Sequence, residues 1–287
     1  MSEILYAKPI VEKEIENLKL RIKNLPQRPC LKVILVGDNP SSLIYVNNKL
    51  KFCQKINADC EIIRLDNNIE KDKFLSQIKK ISADPQVHGL LIQLPLPSHL
   101  SDVNFNDYVA PEKDVDGFTE KNIFSLYNNK TKPEDFYHIP CTPAGIVEMA
   151  NFYNIDFAGK NVVVIGRSLI VGKPLSLLLN KLNATVTMCH SKTKNLKEIT
   201  RLADIIISAM GAPHFIDEEF LSSQKNQYIF DVGIKTFNNK TVGDVNFELV
   251  KHLVKGITPV PGGIGPMTIL SLAKNLVKTA EYQMFKK

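Results

Sequence analysis

The sequence predicts an α/β protein of two domains flanking a cleft. Three observations carry that prediction. Short β-branched runs alternate with amphipathic helical stretches, the alternation breaks at a long polar loop and restarts, and a glycine-bearing turn follows the first strand of the second series. Strands alternating with helices of this length imply parallel sheets with crossover helices. At 287 residues the chain is long enough for two such domains, each with its own core.

In the first series, KPIVEKEIENLKLRIKNL is helical, with apolar residues at Ile10, Val11, Ile15, Leu18 and Ile22. CLKVILVG is a strand stopped by glycine. The helix LIYVNNKLKFCQKI follows, then the strand CEIIRL, the helix KDKFLSQIKKI and the strand GLLIQLP. The stretch LPLPSHLSDVNFNDYVAPEKDVDGF, rich in Pro, Asp and Asn, reads as a long loop, and long loops inside compact domains are usually functional. CTPAGIVEMANFY opens a helix, with Thr142 placed to cap it and Pro143 at the first helical position.

The second series runs NVVVIG (strand), GKPLSLLLNKL (helix), ATVTMCH (strand), LKEITRLA (helix), DIIISAMG (strand) and YIFDVGI (strand). Its strands are short unbroken apolar runs, the pattern of strands buried on both faces. GPMTILSLAKNLVKTAEYQMF closes the chain as an amphipathic helix. The domain boundary falls near Cys141, giving 1–140 and 141–265 as the two domains.

Composition narrows the function. Hydrophobic residues are 44% and charged residues 23%, as in a soluble globular protein, and no apolar run reaches membrane-span length. The first residues lack a basic stretch followed by an apolar one, so a cytoplasmic location is expected. Five scattered cysteines without a C-x-x-C pair argue against a disulfide framework and a zinc site, and six histidines form no metal motif. No metal is expected. The net charge of +6 is spread along the chain without a dense basic block, so nucleic acid is not the expected partner.

One lysine breaks the helical pattern. At about 100° per residue from Leu43, Tyr45, Val46, Leu50, Phe52, Cys53 and Ile56 fall on one side of the helix. Lys49 lies at about 240°, within that apolar arc and one turn after Tyr45. The plainer reading is a snorkelling side chain whose stem covers the helix face. The other is an amine that has lost solvation, whose pKa is lowered so that it serves as a general base near neutrality.

The segment VVVIGRSLIVGKPLSLLL has the order of a phosphate site: strand, glycine turn, helix N-terminus. Gly166 and Gly172 are present, but Arg167 and Ser168 stand where the usual dinucleotide fingerprint has closely spaced glycines. After the next strand, His190, Ser191, Lys192 and Thr193 supply no acid for ribose hydroxyls. Ser191 and Lys192 beside Arg167 favour a 2′-phosphate, hence NADP over NAD, the alternative being plain loop residues. Gln93 is a polar amide ending an apolar strand, where ligands collect in open sheets, or else a solvated edge amide. Of Asp114 and Asp116, two apart in an extended loop, at most one readily faces a given cleft. The prolines and glycines of TPVPGGIGPMT suit a loop lying close against a ligand, with Pro266 in the first turn of the last helix.

With VGDNPSSLIYVNNK, GLLIQLPLP, PEKDVDGF, CTPAGI, GRSLIVGKP, DVGI and PVPGGIGPMT in that order along nearly its whole length, the chain resembles the bifunctional methylenetetrahydrofolate dehydrogenase/cyclohydrolase family. The resemblance implies a Rossmann-type NADP-binding second domain, a last helix (266–287) that packs back on the first domain, and a homodimer. It implies oxidation of methylenetetrahydrofolate with NADP and hydrolysis of the methenyl product to 10-formyltetrahydrofolate. It casts Lys49 as the catalytic lysine, Gln93 as its hydrogen-bonding partner, Tyr45 as a stacking surface for the aminobenzoyl ring and Asp116 as the acid that grips the pterin. Gly262 and Gly263 would line the folate pocket, and Gly166, Arg167, Ser168, Ser191 and Ile234 would contact NADP. Two other readings compete. A short-chain dehydrogenase shares the Tyr-x-x-x-Lys spacing of Tyr45 and Lys49, but there the nucleotide turn precedes the pair, whereas here it follows far downstream. A non-catalytic nucleotide-binding regulator on the same scaffold would bind NADP and turn nothing over.

Overall fold

The structure, a computed structural model, describes residues 2–128, 136–237 and 240–285. The elements in chain order are β1 (Glu3–Ile4), α1 (Lys8–Lys23), β2 (Cys30–Val36), α2 (Pro40–Lys55), β3 (Asp59–Leu65), α3 (Lys71–Ala83), β4 (Gly89–Ile92), α4 (Glu120–Tyr127), α5 (Cys141–Phe152), β5 (Asn161–Ile165), α6 (Gly172–Lys181), β6 (Thr185–Cys189), α7 (Leu196–Arg201), β7 (Ile205–Ser208), β8 (Tyr228–Asp231), β9 (Lys235–Phe237), β10 (Lys240–Val242), α8 (Phe247–Val250), β11 (Gly256–Ile257) and α9 (Ile264–Phe285). Two compact units result, Met1–Val11 with Thr142–Thr268, and Glu12–Cys141 with Ile269–Lys287. They are called here the Gly166 unit and the Lys49 unit.

The division departs from the sequence reading at the N-terminus. Residues 1–11, expected in the first domain, belong to the Gly166 unit, because β1 pairs in parallel with β11, Glu3 opposite Gly256 and Ile4 opposite Ile257. A two-residue strand carries no hydrophobic period, so nothing local announces it. The final two residues of the expected last helix, 286 and 287, lie outside the described residues.

In the Lys49 unit a parallel sheet runs in the order β3-β2-β4. The central strand β2 is apolar and its last four residues are buried, as two paired neighbours require. Helix α3 sets Phe74, Leu75, Ile78 and Ile81 against Ile34, Val36 and Leu90 of the sheet. The α9 portion of the unit buries Leu272, Leu276, Val277 and Ala280. Its polar side is tied to α1 by a two-pronged Arg21–Glu281 pair (2.8 and 2.7 Å) and a Lys274–Glu14 pair (2.7 Å).

In the Gly166 unit six parallel strands run in the order β1-β11-β8-β7-β5-β6. Strands β5, β7 and β8 are buried along most or all of their length. Strand β6 is not. It ends the sheet, and Thr185, Thr187 and Met188 are exposed, so the expectation of burial on both faces fails there. Val163, Ile165, Ile206, Ile229 and Ile257 form the centre of this core.

Two local expectations are also corrected. Thr142 does not cap α5, which already begins at Cys141; its hydroxyl instead meets that of Thr268 at 3.0 Å. The long polar segment is not structureless, since Ser98–Leu100 and Phe105–Tyr108 are 3-10 turns.

Candidate functional site

In the Lys49 unit the site starts from the capping of α2. Asn39 Oδ1 accepts the Ser42 amide at 3.2 Å, and Pro40 takes the first helical position, where no N–H is needed. The helix phase so set turns Val46, Phe52, Cys53 and Ile56 into the core and leaves Lys51 and Lys55 in solvent. Lys49 lines an apolar recess with Leu31, Phe52, Cys53, Ile269, Leu272 and Leu276. Tyr45, one turn earlier, is 38% exposed, so it presents a ring to solvent on the same side as Lys49.

Gln93 comes from β4. Its backbone N–H donates to Ile34 O at 2.9 Å, one step beyond the last strand residue, which holds the side chain at the carboxyl end of the sheet. The side-chain Nε2 donates to Leu94 O at 2.7 Å, so the amide oxygen faces the lysine and accepts from Lys49 Nζ at 2.7 Å. Gln93 thus orients the amine without contributing charge.

The two acids of PEKDVDGF divide their work, although the segment runs through hydrogen-bonded turns (Lys113 N–H to Ala110 O, Gly117 N–H to Asp114 O) rather than as the extended loop expected. Asp114 is buried and organises the loop: its Oδ1 accepts the Gly117 amide (2.9 Å), and its Oδ2 accepts the Thr119 amide (2.6 Å) and Asn122 Nδ2 (2.9 Å). A parallel bridge between Leu90 and Asp114 lays the loop along β4. Val115 O is held by the Cys141 thiol (3.1 Å) and by Asn275 Nδ2 (2.9 Å), and Asp116 O accepts the Cys141 amide at 3.3 Å. Asp116 is thereby fixed in electrostatic reach of Lys49.

The charges in this cluster oppose one another. Burial lowers the Lys49 pKa, while Asp116, Cys141 and Cys60 push it back up. Burial raises the Asp116 pKa, Lys49 offsets that, and Asp114 adds to it. Both groups move towards their neutral forms, the direction a lysine base requires. The sequence reading assembled Lys49, Gln93 and Asp116 but missed Cys60, Cys141 and Asn275 around them. Only the D-x-x-G spacing of Asp114 and Gly117 offered a local signal for the loop's internal bonding.

The Gly166 unit holds the other expected residues. Gly166 has φ of 136°, and a Cβ at Gly172 would fall 2.0 Å from Gly166 O. Those two glycines therefore let the start of α6 rest directly on the turn. Ser168 Oγ accepts the Val171 and Gly172 amides at 3.1 and 3.4 Å and keeps its own proton to donate. Arg167, Ser191 and Lys192 are exposed, and no acid ends β6. A cationic and hydroxyl-bearing surface at the carboxyl ends of parallel strands, beside a helix N-terminus, fits a phosphorylated dinucleotide. Ile234 is 39% exposed, and its Cδ1 lies 3.4 Å from where a Gly265 Cβ would be. Gly262 has φ of 108°, and a Cβ there would make ordinary contacts with Pro259 and Tyr6 at 3.8 Å, whereas a Cβ on Gly263 would meet Pro259 O at 2.6 Å. Of the two, Gly262 is favoured by its positive φ and Gly263 by the close packing of its own loop. Among the described residues no group of three or more His, Cys, Asp or Glu is placed to hold a metal ion.

Comparison with known proteins bears on both units. Residues 5–116 match the catalytic domain of the tetrahydrofolate dehydrogenase/cyclohydrolase family, and residues 140–284 match its NAD(P)-binding domain. The chain is 46% identical to the bifunctional protein FolD of Thermodesulfovibrio yellowstonii, covering 98% of both. It superposes with a TM-score of 0.92 on the FolD methylenetetrahydrofolate dehydrogenase/cyclohydrolase of Campylobacter jejuni, at 40% identity over 98% of this chain and 99% of that one. The Trypanosoma brucei enzyme, solved with NADP and an inhibitor, gives 0.90 at 28% identity, covering 98% and 97%.

Proposed function

The chain belongs to the tetrahydrofolate dehydrogenase/cyclohydrolase family, and from that premise we propose that Lys49, Gln93, Tyr45 and Asp116 carry its folate chemistry. The protein is an NADP-dependent methylenetetrahydrofolate dehydrogenase and a methenyltetrahydrofolate cyclohydrolase. The observation that supports the site reading is the 2.7 Å bond from Lys49 to Gln93 beside a carboxyl that shares its electrostatics.

Oxidation removes a hydride from the carbon that bridges two folate nitrogens. The lone pair of one nitrogen supplies the push, and placing that carbon is most of what the protein must do. Accepting the hydride is the chemistry NADP supplies when bound. Gly166, Arg167, Ser168, Ser191 and Ile234 are the residues that would hold it, with Ser191 and Arg167 suited to the 2′-phosphate. Tyr45 supplies a ring for the aminobenzoyl group, and Gly262 and Gly263 supply close backbone.

Hydrolysis needs a base. Water adds to the methenyl carbon and passes one proton to the neutral amine of Lys49. The hydroxyl so formed then gives up its remaining proton as the formyl C=O forms, and a ring nitrogen takes up a proton as its bond to that carbon breaks. Gln93 accepts one N–H of the amine and so aims the lone pair away from itself. Asp116 binds the pterin and limits how far burial depresses the lysine.

On family likeness the enzyme acts on one-carbon derivatives of tetrahydrofolate as a cytoplasmic homodimer, engaging neither nucleic acid nor membrane. Among the described residues no helix is long and apolar enough to cross a membrane. Absorbance on adding methylenetetrahydrofolate and NADP tests the reading. NADPH and methenyltetrahydrofolate appear with wild type, and Asp116→Ala raises the folate KM by roughly tenfold or more, the scale of a lost charge-assisted hydrogen bond. Unchanged folate affinity in that variant removes Asp116 from the pterin site. Intact NADP binding without turnover in wild type favours the regulator instead.

A further inference from the structure

Two acids of the Gly166 unit take no part in the chemistry above, yet both are deeply buried. Asp231 is 3% exposed and Asp244 is 1% exposed. Asp244 accepts Ser208 Oγ (2.9 Å) and the Met210 amide (2.7 Å) on Oδ2, and the Ala212 amide (2.7 Å) on Oδ1. Asp231 accepts the amides of Gly233 (3.2 Å) and Asp244 (3.0 Å) on Oδ1 and of Val245 (2.9 Å) on Oδ2. Each carboxyl thus accepts three hydrogen bonds, with both of its oxygens engaged.

The glycines beside them interlock. A Cβ on Gly243 would sit 1.9 Å from Asp231 Oδ2, and a Cβ on Gly233 would sit 2.1 Å from Asp244 Oδ1. Each acid therefore occupies space vacated by the glycine next to the other. Burial and the neighbouring Asp244 push the Asp231 carboxyl up to about 7. Holding two acids together inside a core works against stability, where an apolar pair would cost less.

What the pair holds is two loops at one end of the sheet. The tethered amides of Met210 and Ala212 lie in the loop after β7, and that of Gly233 in the loop after β8. Both loops leave the carboxyl ends of parallel strands, where open sheets bind dinucleotides. Ala209 O, one residue before the tethered Met210, lies 2.5 Å from where a Gly166 Cβ would be, so the glycine turn rests on this loop. Ile234 follows Gly233 directly.

We propose that Asp231 and Asp244 are positioning residues for the NADP site, an interlocked pair that sets the 209–212 and 232–234 loops against the Gly166 turn. The proposal rests on the assignment of NADP to these loops. It accounts for two buried acids and two sterically required glycines in one stroke.

Asp244→Asn tests it, because the amide keeps the volume and sets an NH2 against an N–H donor. Three readouts are needed: NADP affinity by calorimetric titration, cyclohydrolase rate on methenyltetrahydrofolate without NADP, and thermal midpoint. NADP should bind roughly tenfold more weakly, the size of a lost hydrogen bond to a charged group, while the NADP-free hydrolysis stays within about twofold. The NADP KM should rise while kcat at saturating NADP is retained. Gly243→Ala, which strikes Asp231 from the other side, should reproduce the split and stands in if Asp244→Asn does not fold. Unchanged NADP affinity in either folded variant overturns the proposal. So does a parallel fall of affinity and hydrolysis in both variants, which would make the pair merely structural. Absence of NADP binding in wild type instead overturns the cofactor assignment beneath it.

Discussion

Helix α2 carries Lys49, Lys51 and Lys55 on two faces, and only Lys49 points into an apolar recess. Position on the helix, not residue type, sets it apart: burial lowers its pKa, as the proposed role of general base requires. Its oriented bond to Gln93 adds a second requirement, neutrality of the partner. Gln93→Glu places a carboxylate 2.7 Å from where the amine now meets an amide, which favours the ammonium and raises the lysine pKa. A base works deprotonated, so the cyclohydrolase rate climbs as pH rises through that pKa. The climb should therefore shift to higher pH by about one unit or more in the variant. A pH–rate profile of methenyl hydrolysis measures this, and a shift to lower pH, or none, speaks against the neutral amine. The lysine's placement was legible from the helical wheel. The nearby Cys60 and Cys141 were not, because residues brought together from β3 and the start of α5 share no local pattern.

At the scale of elements, the described part of the polar segment between β4 and α5 is tied down by side-chain hydrogen bonds rather than by a ladder. Asp114 fastens its own loop, and His138 pins the approach to α5, its Nε2 lying 3.1 Å from Glu112 O and 2.9 Å from Thr279 Oγ1. Burial lowers the His138 pKa to about 4. The unfolded chain, with a histidine near 6.5, takes up the proton first. Stability from keeping His138 neutral is complete above about pH 6.5 and is lost as pH falls towards 4. That amounts to about 2 kcal/mol between pH 7 and pH 5. Denaturant midpoints at the two pH values should drop less for His138→Gln than for wild type; an equal drop would show that His138 is not the group that titrates. The regular elements here were readable because hydrophobic period reveals them. Helix α4, the two 3-10 turns and the pairing of β1 with β11 were not, since they depend on distant partners.

For the whole molecule, two units divide two tasks between residues that the chain assembles separately. The Lys49 unit supplies an amine, an amide and a carboxyl. The Gly166 unit supplies the turn and loops suited to a phosphorylated dinucleotide. Motif order along the chain made that division legible at the outset. The exchange of residues 1–11 into the Gly166 unit and the Asp231–Asp244 interlock appeared only in three dimensions. The central claim is that hydride removal relies on placement whereas hydrolysis relies on a base. Lys49→Met separates the two in one protein sample, with hydrolysis of methenyltetrahydrofolate and NADP binding measured side by side. The account predicts that hydrolysis falls by about 100-fold or more, the scale of a lost general base, while the protein stays folded and NADP affinity is unchanged. Wild-type rates of methenyl hydrolysis in that folded variant would contradict it.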